Sequence, residues 1–234
     1  MDRVSTGIVD LDASIGGGLP QGSLLLVGGG PGAGKTVLAC HFLHEGVRKG
    51  EKVAYISLVE SEKAFRVNAA GMGFDFGDNL VFMEFFTGTA GAVSGLLDAL
   101  VTALQAHRPS RVVVDSISSI SDSLRDEGEM RRILHNVFAK TMRQSDTTAM
   151  LIAEAPLGVS GTGEPSAEFV CDGVIVLRQR IDEEQRFAGT MEILKMRGCA
   201  IRRRAIGYTI GEKGIATARP IVPEKRRAER RGLN

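Results

Sequence analysis

The chain has 234 residues, of which 43% are hydrophobic, and its formal net charge is +1. This size and composition suit one α/β domain with a sizeable core, and they exclude a strongly basic protein that would attract nucleic acid over its whole surface. No stretch approaches the ~20 unbroken apolar residues of a membrane helix. Because the N-terminus lacks an apolar signal core and the three cysteines are widely spaced, we expect a cytoplasmic protein.

Strand-length apolar runs alternate with helix-length segments along most of the chain. Strands are predicted at 23–29, 52–58, 80–86, 111–116 and 148–155. Helices are predicted at 35–49, from the cap residue Ser61 towards Gly71, at 91–106 and at 126–145. This alternation predicts a parallel sheet with right-handed crossovers.

The last third of the sequence predicts a different kind of sheet edge. Strand patterns at 173–180, 190–197, 206–210 and 214–218 follow one another with only short polar connections, as in antiparallel ribbons. We therefore predict a mostly parallel central sheet with antiparallel C-terminal edge strands, formed by residues 1–220 as one domain. Residues 221–234 lack an apolar period and are expected to be a flexible basic tail.

A phosphate-binding loop directly follows the first strong strand. The sequence GGPGAGKT at 29–36 matches the pattern G-x-x-x-x-G-K-[ST], and it lies between a predicted strand and a predicted helix. Glycines let the backbone N–H groups point at phosphate oxygens, the lysine supplies a positive charge, and the threonine hydroxyl can bind Mg²⁺. The predicted nucleotide-binding residues are Gly29, Gly30, Pro31, Gly32, Ala33, Gly34, Lys35 and Thr36.

A loop of this kind needs a carboxylate at the tip of a neighbouring strand. Asp115 ends the run RVVVD after three valines. We expect it to bind Mg²⁺ together with Thr36, in its own case through water.

Longer stretches of the chain resemble a known family. The opening STGIVDLDASIGGGLPQGSLLLVGGGPGAGKT is similar to RecA-superfamily ATPases of the KaiC/RadA branch, and EFVCDGVIVLR with EILKMRG resembles the KaiC family in particular. The resemblance implies a RecA-like P-loop ATPase with a three-layer α/β sandwich, which uses ATP and Mg²⁺. It also implies a ring, expected to be a hexamer of single-lobe subunits, that signals its nucleotide state to an unknown protein partner.

Two further roles follow from the resemblance. In KaiC-like rings a lysine and an arginine of the neighbouring subunit reach the γ-phosphate, and the KMR motif assigns these roles to Lys195 and Arg197. The Ser–Thr pair that KaiC phosphorylates corresponds here to Glu168 and Phe169, so we do not expect autokinase activity.

The predicted water-activating acid departs from the family pattern. KaiC-like proteins carry two adjacent glutamates after the second strand, whereas this chain has Val59 and Glu60. Either Glu60 activates water with altered geometry, or hydrolysis is slow or absent and the nucleotide mainly holds an assembly together. Glu154, at the next strand tip, is either a γ-phosphate sensor or an ordinary strand end.

Two alternative functions remain open from the sequence. One is a DNA-acting ATPase of the RadA kind, with nucleic acid bound by the basic runs at 202–204 and 225–231. These runs can equally be solvated surface or tail. The other is a nucleotide-gated scaffold without useful turnover.

Overall fold

The computed structural model describes residues 2–85, 92–121, 124, 127–155, 161–181, 187–201 and 205–218. The strands are β1 (Arg3–Val4), β2 (Leu19–Pro20), β3 (Leu24–Gly29), β4 (Val53–Ser57), β5 (Leu80–Glu84), β6 (Arg111–Asp115), β7 (Thr148–Glu154), β8 (Gly173–Ile181), β9 (Phe187–Met196), β10 (Ile206–Gly211) and β11 (Gly214–Ala218). The helices are α1 (Val9–Ser14), α2 (Lys35–Arg48), α3 (Glu62–Ala70), α4 (Ala92–His107), α5 (Ser118–Ser121), α6 (Glu127–Ile133), α7 (Lys140–Gln144) and α8 (Pro165–Val170).

Nine of these strands form one sheet in the order β11-β10-β9-β8-β3-β7-β6-β4-β5. The pairs from β8 to β5 are parallel, whereas β9, β10 and β11 are joined antiparallel at one edge. The predicted fold class, a mostly parallel α/β sheet with an antiparallel C-terminal edge, is therefore confirmed. The strands β1 and β2 form a separate two-stranded sheet, which the sequence did not predict.

Alternating side chains of the central strands enter two hydrophobic cores, one on each face of the sheet. On β4, for example, Tyr55 joins the core beneath α2 and α3, whereas Ile56 joins the core beneath α4 to α8. Both residues are fully buried, as is expected for a strand covered on both faces. The result is three layers, with helices on either side of the sheet.

Helix boundaries follow the predictions with one clear correction. Ser61 caps α3 as predicted, since its hydroxyl accepts a hydrogen bond from the Ala64 N–H at 3.4 Å. The predicted single helix at 126–145 is wrong in detail, because α6 and α7 are separated by a π-helical segment, Leu134–Ala139. This wider segment changes the helical phase, while Leu134, Phe138 and Met142 all still reach the core.

The parallel strands place the chemically interesting residues at one edge of the sheet. Because β3, β4, β6 and β7 run in the same direction, their carboxyl ends lie together, and the loops that follow them meet there. Within the residues that the structure describes, no helix is long and apolar enough to cross a membrane.

Candidate nucleotide-binding site

The phosphate loop lies between β3 and α2, as the sequence predicted. Gly32 and Gly34 adopt left-handed backbone conformations, with φ of 72° and 88°, which residues with side chains rarely adopt. Gly34 is also the residue that precedes the first turn of α2. The loop therefore curls around the N-terminus of a 14-residue helix, where backbone N–H groups favour an anion.

The antiparallel strands β8 to β11, here called the C-terminal ribbon, pack against this loop and bind two of its carbonyl groups. The Gln179 amide, on β8, donates to the Gly32 carbonyl, and the Tyr208 hydroxyl, on β10, donates to the Ala33 carbonyl. A side chain at Gly34 would collide with Ile210 of the same ribbon. These contacts hold the loop in place on the side that faces the ribbon. None of them was predicted from the sequence.

Lys35 lies in the centre of a charged cluster. Its amine donates to the carbonyls of Gly29 and Gly30 at 3.0 Å each. Burial lowers the pKa of Lys35, while the nearby carboxylates of Glu154 and Asp115 act in the opposite direction. The structure thus brings Glu154, which pairs with Gly29 across β3 and β7, to the phosphate loop.

Thr36 and Asp115 are joined directly. The Thr36 hydroxyl donates to Asp115 Oδ2 at 2.8 Å, so the two residues predicted to bind Mg²⁺ share one location. The same oxygen accepts a second hydrogen bond, at 2.7 Å, from the hydroxyl of Tyr55.

These oxygen donors fit a magnesium ion that also binds nucleotide phosphates. Mg²⁺ prefers oxygen ligands and is usually held by one or two carboxylates plus the phosphates, rather than by a complete set of protein ligands. The described residues contain no group of three or more His, Cys, Asp or Glu side chains that could hold a metal alone. When bound, the ion would neutralise phosphate charge, and Thr36 and Asp115 are the residues that would hold it.

The strand tip after β4 distinguishes Glu60 from Val59. The strand ends at Ser57, whose hydroxyl accepts the Glu60 N–H at 2.9 Å and donates to the Glu60 carbonyl at 2.6 Å. This tight turn leaves the Val59 side chain 70% exposed. Glu60, in contrast, is partly buried close to Asp115.

The surroundings of Glu60 change its protonation. Burial and the neighbouring Asp115 charge raise the pKa of Glu60, and a hydrogen bond from the Asn68 side chain partly opposes them. A carboxylate with a raised pKa is a better proton acceptor than an exposed one. Side chains alternate between the two faces only while the strand continues. Because β4 ends at Ser57, this alternation no longer applies to Glu60, and its carboxylate can lie near Asp115.

Lys195 and Arg197 lie away from the phosphate loop of their own chain. Lys195 is paired with Val174 near the start of β8, and its amine donates to the carbonyls of Glu168, Phe169 and Cys171. Arg197 donates to the carbonyls of Phe169 and Val170 and to Asp172. Both cations therefore neutralise the C-terminal end of α8, and both donate to the Phe169 carbonyl.

Register shows how far these cations are from the loop. The Arg197 N–H donates to the Asp172 carbonyl, and the Asp172 N–H donates to Leu24, which lies five positions before Gly29 on β3. At about 3.3 Å per residue, this places Arg197 roughly 16 Å from the loop along the strand direction. Lys195 pairs with Val174, which pairs with Leu26 on β3, so it lies roughly 10 Å from the loop in the same direction. Neither cation is placed to contact a phosphate in the loop of its own chain.

The chain that forms this phosphate loop, strand-tip aspartate and antiparallel ribbon matches a known family along most of its sequence. The family model described as "ATPase: KaiC" matches residues 4–220. The chain belongs to the KaiC family of ATPases.

Relatives of two lengths match this KaiC-family chain. The circadian clock protein KaiC3 of Synechocystis is 34% identical over 95% of the chain, but the match covers only 46% of KaiC3. The chain thus spans about half the length of this relative. A UPF0273 protein of Aeropyrum pernix is 29% identical, and the match covers 96% of the chain and 95% of that protein.

A solved structure has the same fold. The KaiC-like protein PH0186 of Pyrococcus horikoshii superposes with a TM-score of 0.79 at 29% identity, covering 93% of this chain and 99% of the other. With the family match, this similarity confirms the RecA-like P-loop sandwich that the resemblance implied.

Three residues of this site, Tyr55, Gln179 and Tyr208, were not predicted from the sequence. Tyr55 could have been found, because it lies on the same face as Ser57 and two positions before the strand tip. Gln179 and Tyr208 could not, since their positions depend on how the ribbon folds over the loop. The basic residues at 202–204 and 225–231, and the whole tail at 221–234, lie outside the described residues.

Proposed function

We propose that this KaiC-family chain binds ATP with Mg²⁺, assembles into a ring with nucleotide at the subunit interfaces, and hydrolyses the nucleotide slowly. In this proposal the ring is a hexamer that serves as a nucleotide-dependent signalling or regulatory module for a protein partner. The hydrogen bond between Thr36 and Asp115, beside the amine of Lys35, carries the proposal. It brings together in one place the groups that are proposed to bind phosphate and metal.

Glu60 is the proposed water-activating acid. Its partly buried carboxylate lies near Asp115, and its raised pKa suits a group that accepts a proton from water. Turnover is expected to be slow, because Val59 replaces the first of the two acids in the family pattern and Glu60 must then activate water with altered geometry. Glu154 is the proposed sensor of the γ-phosphate, since its charge already acts on Lys35.

Lys195 and Arg197 are proposed to act on the nucleotide of a neighbouring subunit. The support for this is their distance from the loop of their own chain and their adjacent position at the end of α8, where both contact the Phe169 carbonyl. A cation supplied by a neighbour stabilises charge that develops on the transferred phosphoryl group, and it makes hydrolysis depend on assembly.

A mixing experiment tests assembly and turnover together. Lys35→Ala removes the phosphate-binding charge, and the double variant Lys195→Ala/Arg197→Ala removes the proposed cations. Each variant alone is expected to release phosphate from ATP at background rate. A mixture should regain activity, because some interfaces combine an intact loop from one subunit with intact cations from the other.

The mixture is informative even though Lys195 also stabilises α8. A variant that has merely unfolded cannot restore its partner, so recovery requires both chains to be folded and associated. A mixture that stays inactive while light scattering finds wild-type protein monomeric with ATP and Mg²⁺ would contradict the ring. Wild-type protein that binds ATP and assembles but releases no phosphate would favour the alternative scaffold role, for which Val59 is the supporting observation.

A further inference from the structure

The fully buried Tyr55 makes a polar contact with the strand-tip aspartate. Its hydroxyl donates to Asp115 Oδ2 at 2.7 Å, and the Thr36 hydroxyl donates to the same oxygen at 2.8 Å. Two donors on one oxygen restrict rotation of the carboxylate. The orientation of Asp115 is thus determined from the α2 side by Thr36 and from the β4 side by Tyr55.

Sheet register places Tyr55 where it can make this contact. Asp115, at the end of β6, pairs with Ser57 at the end of β4, and Tyr55 lies two positions earlier on the same face. Tyr55 is therefore a diagonal neighbour of Asp115 on this face, and its long side chain spans the separation to the carboxylate. A shorter polar residue at position 55 would not reach.

Aromatic packing holds the ring of Tyr55 in place. Its centroid lies 4.2 Å from that of Phe65 and 5.3 Å from that of Phe82, the second pair being stacked with an interplanar angle of 12°. The packed ring thereby holds the hydroxyl against the Asp115 carboxylate.

We propose that Tyr55 is a positioning residue for the magnesium site, whose hydroxyl holds Asp115 in the orientation that favours the metal. The inference rests on the proposed function, because it presupposes that Mg²⁺ binds with nucleotide between Thr36 and Asp115. If the Thr36 hydroxyl binds the ion instead of Asp115, the hydrogen bond from Tyr55 still orients the Asp115 carboxylate. Hydrogen bonds that orient metal ligands in this way commonly change metal affinity when they are removed.

The test is the Mg²⁺ requirement of Tyr55→Phe, which keeps the ring and removes only the hydroxyl. Binding of a fluorescent ATP analogue is measured first in EDTA and then as a function of Mg²⁺ concentration. We expect unchanged binding in EDTA and a half-saturating Mg²⁺ concentration that is about 10- to 100-fold higher than for wild type.

Phe82→Leu provides the matched control, because it removes a ring stacked on Tyr55 and leaves the hydroxyl in place. It should lower the melting temperature but raise the Mg²⁺ requirement much less than Tyr55→Phe does, because Phe65 still packs against the ring. Wild-type Mg²⁺ dependence in Tyr55→Phe would overturn the inference, and so would a Tyr55→Phe variant that loses binding in EDTA as well. If wild-type protein fails to bind the analogue under either condition, the proposed function itself is wrong.

Discussion

At the scale of single residues, the strand tip from Ser57 to Glu60 decides which side chain faces the site. The Ser57 hydroxyl contacts the backbone of Glu60 twice and thereby closes a turn directly after β4. The turn exposes Val59 and places Glu60 near Asp115. The turn after the strand, rather than the strand itself, therefore determines which of these two adjacent side chains lies near Asp115.

This geometry predicts opposite outcomes for two substitutions. Glu60→Gln, which keeps the size and loses the proton acceptor, should lower the rate of phosphate release about 100-fold, a typical contribution of a general base. Val59→Glu should leave the rate close to that of wild type, because its side chain projects into solvent. A strong rise in the Val59→Glu rate, with little effect of Glu60→Gln, would assign the role to position 59.

The pH dependence of turnover gives a second measure of the same residue. Since Glu60 must be ionised to accept a proton, activity is lost as pH falls through its pKa. Burial and Asp115 raise this pKa above the ordinary value of 4.5, so the acid limb of kcat/KM should lie above that pH. The limb should disappear from any residual activity of Glu60→Gln.

At the scale of elements, α2 connects the phosphate loop to the C-terminal ribbon. Its first turn carries the loop, and further along, His41 Nε2 accepts the Ile215 N–H of β11 at 2.8 Å. The His41 ring also packs edge-on against Phe74. The ribbon that covers the loop through Tyr208 is thus held by the same helix that begins at the loop.

Acid should weaken this connection. Burial lowers the pKa of His41 to about 4, whereas the unfolded chain has the ordinary value of 6.5. The unfolded state consequently binds more protons between these values, and stability falls as pH drops from 6.5 towards 4. After allowance for partial exposure, we expect about 1 kcal/mol less free energy of unfolding at pH 5 than at pH 7 from this residue.

The measurement is urea unfolding of wild type and His41→Gln at both pH values. The glutamine variant should be less stable at pH 7 and should show a smaller loss on acidification, since it does not titrate. An equal loss of unfolding free energy on acidification in both proteins would mean that groups other than His41 cause the effect.

At the scale of the whole molecule, Arg111 joins three parts of the chain at the end of the sheet opposite the phosphate loop. This fully buried guanidinium pairs with Glu51 at 2.6 Å and donates to the carbonyls of Ser5 and Phe42. It also lies over the Phe42 ring, 5.0 Å from its centroid. The N-terminal segment, α2 and β6 are held together here by one side chain.

Removal of Arg111 should be costly. Arg111→Met is expected to lower the free energy of unfolding by about 3–5 kcal/mol, because Glu51 and two carbonyls lose their partner. Arg48→Ala, which breaks an exposed pair with Glu45, is the control and should cost less than about 0.5 kcal/mol. Chemical denaturation measures both, and a similar small effect of the two variants would contradict the structural role of Arg111.

The sequence alone determined the architecture and the phosphate site, since both depend on local patterns. Apolar runs that alternate with amphipathic segments permit few arrangements other than a parallel sheet, and the loop at 29–36 is contiguous in the chain. Asp115 could be predicted for the same reason, because strand ends in a parallel sheet converge at one edge.

Tertiary structure decided the orientation of the residues that meet at the site. The inward position of Glu60 depends on a turn made by Ser57, and the contact of Tyr55 with Asp115 depends on the register between β4 and β6. The contacts of Gln179 and Tyr208 with the loop require a ribbon whose sequence lies more than a hundred residues away. Such contacts arise from pairing between distant segments, which local patterns do not encode.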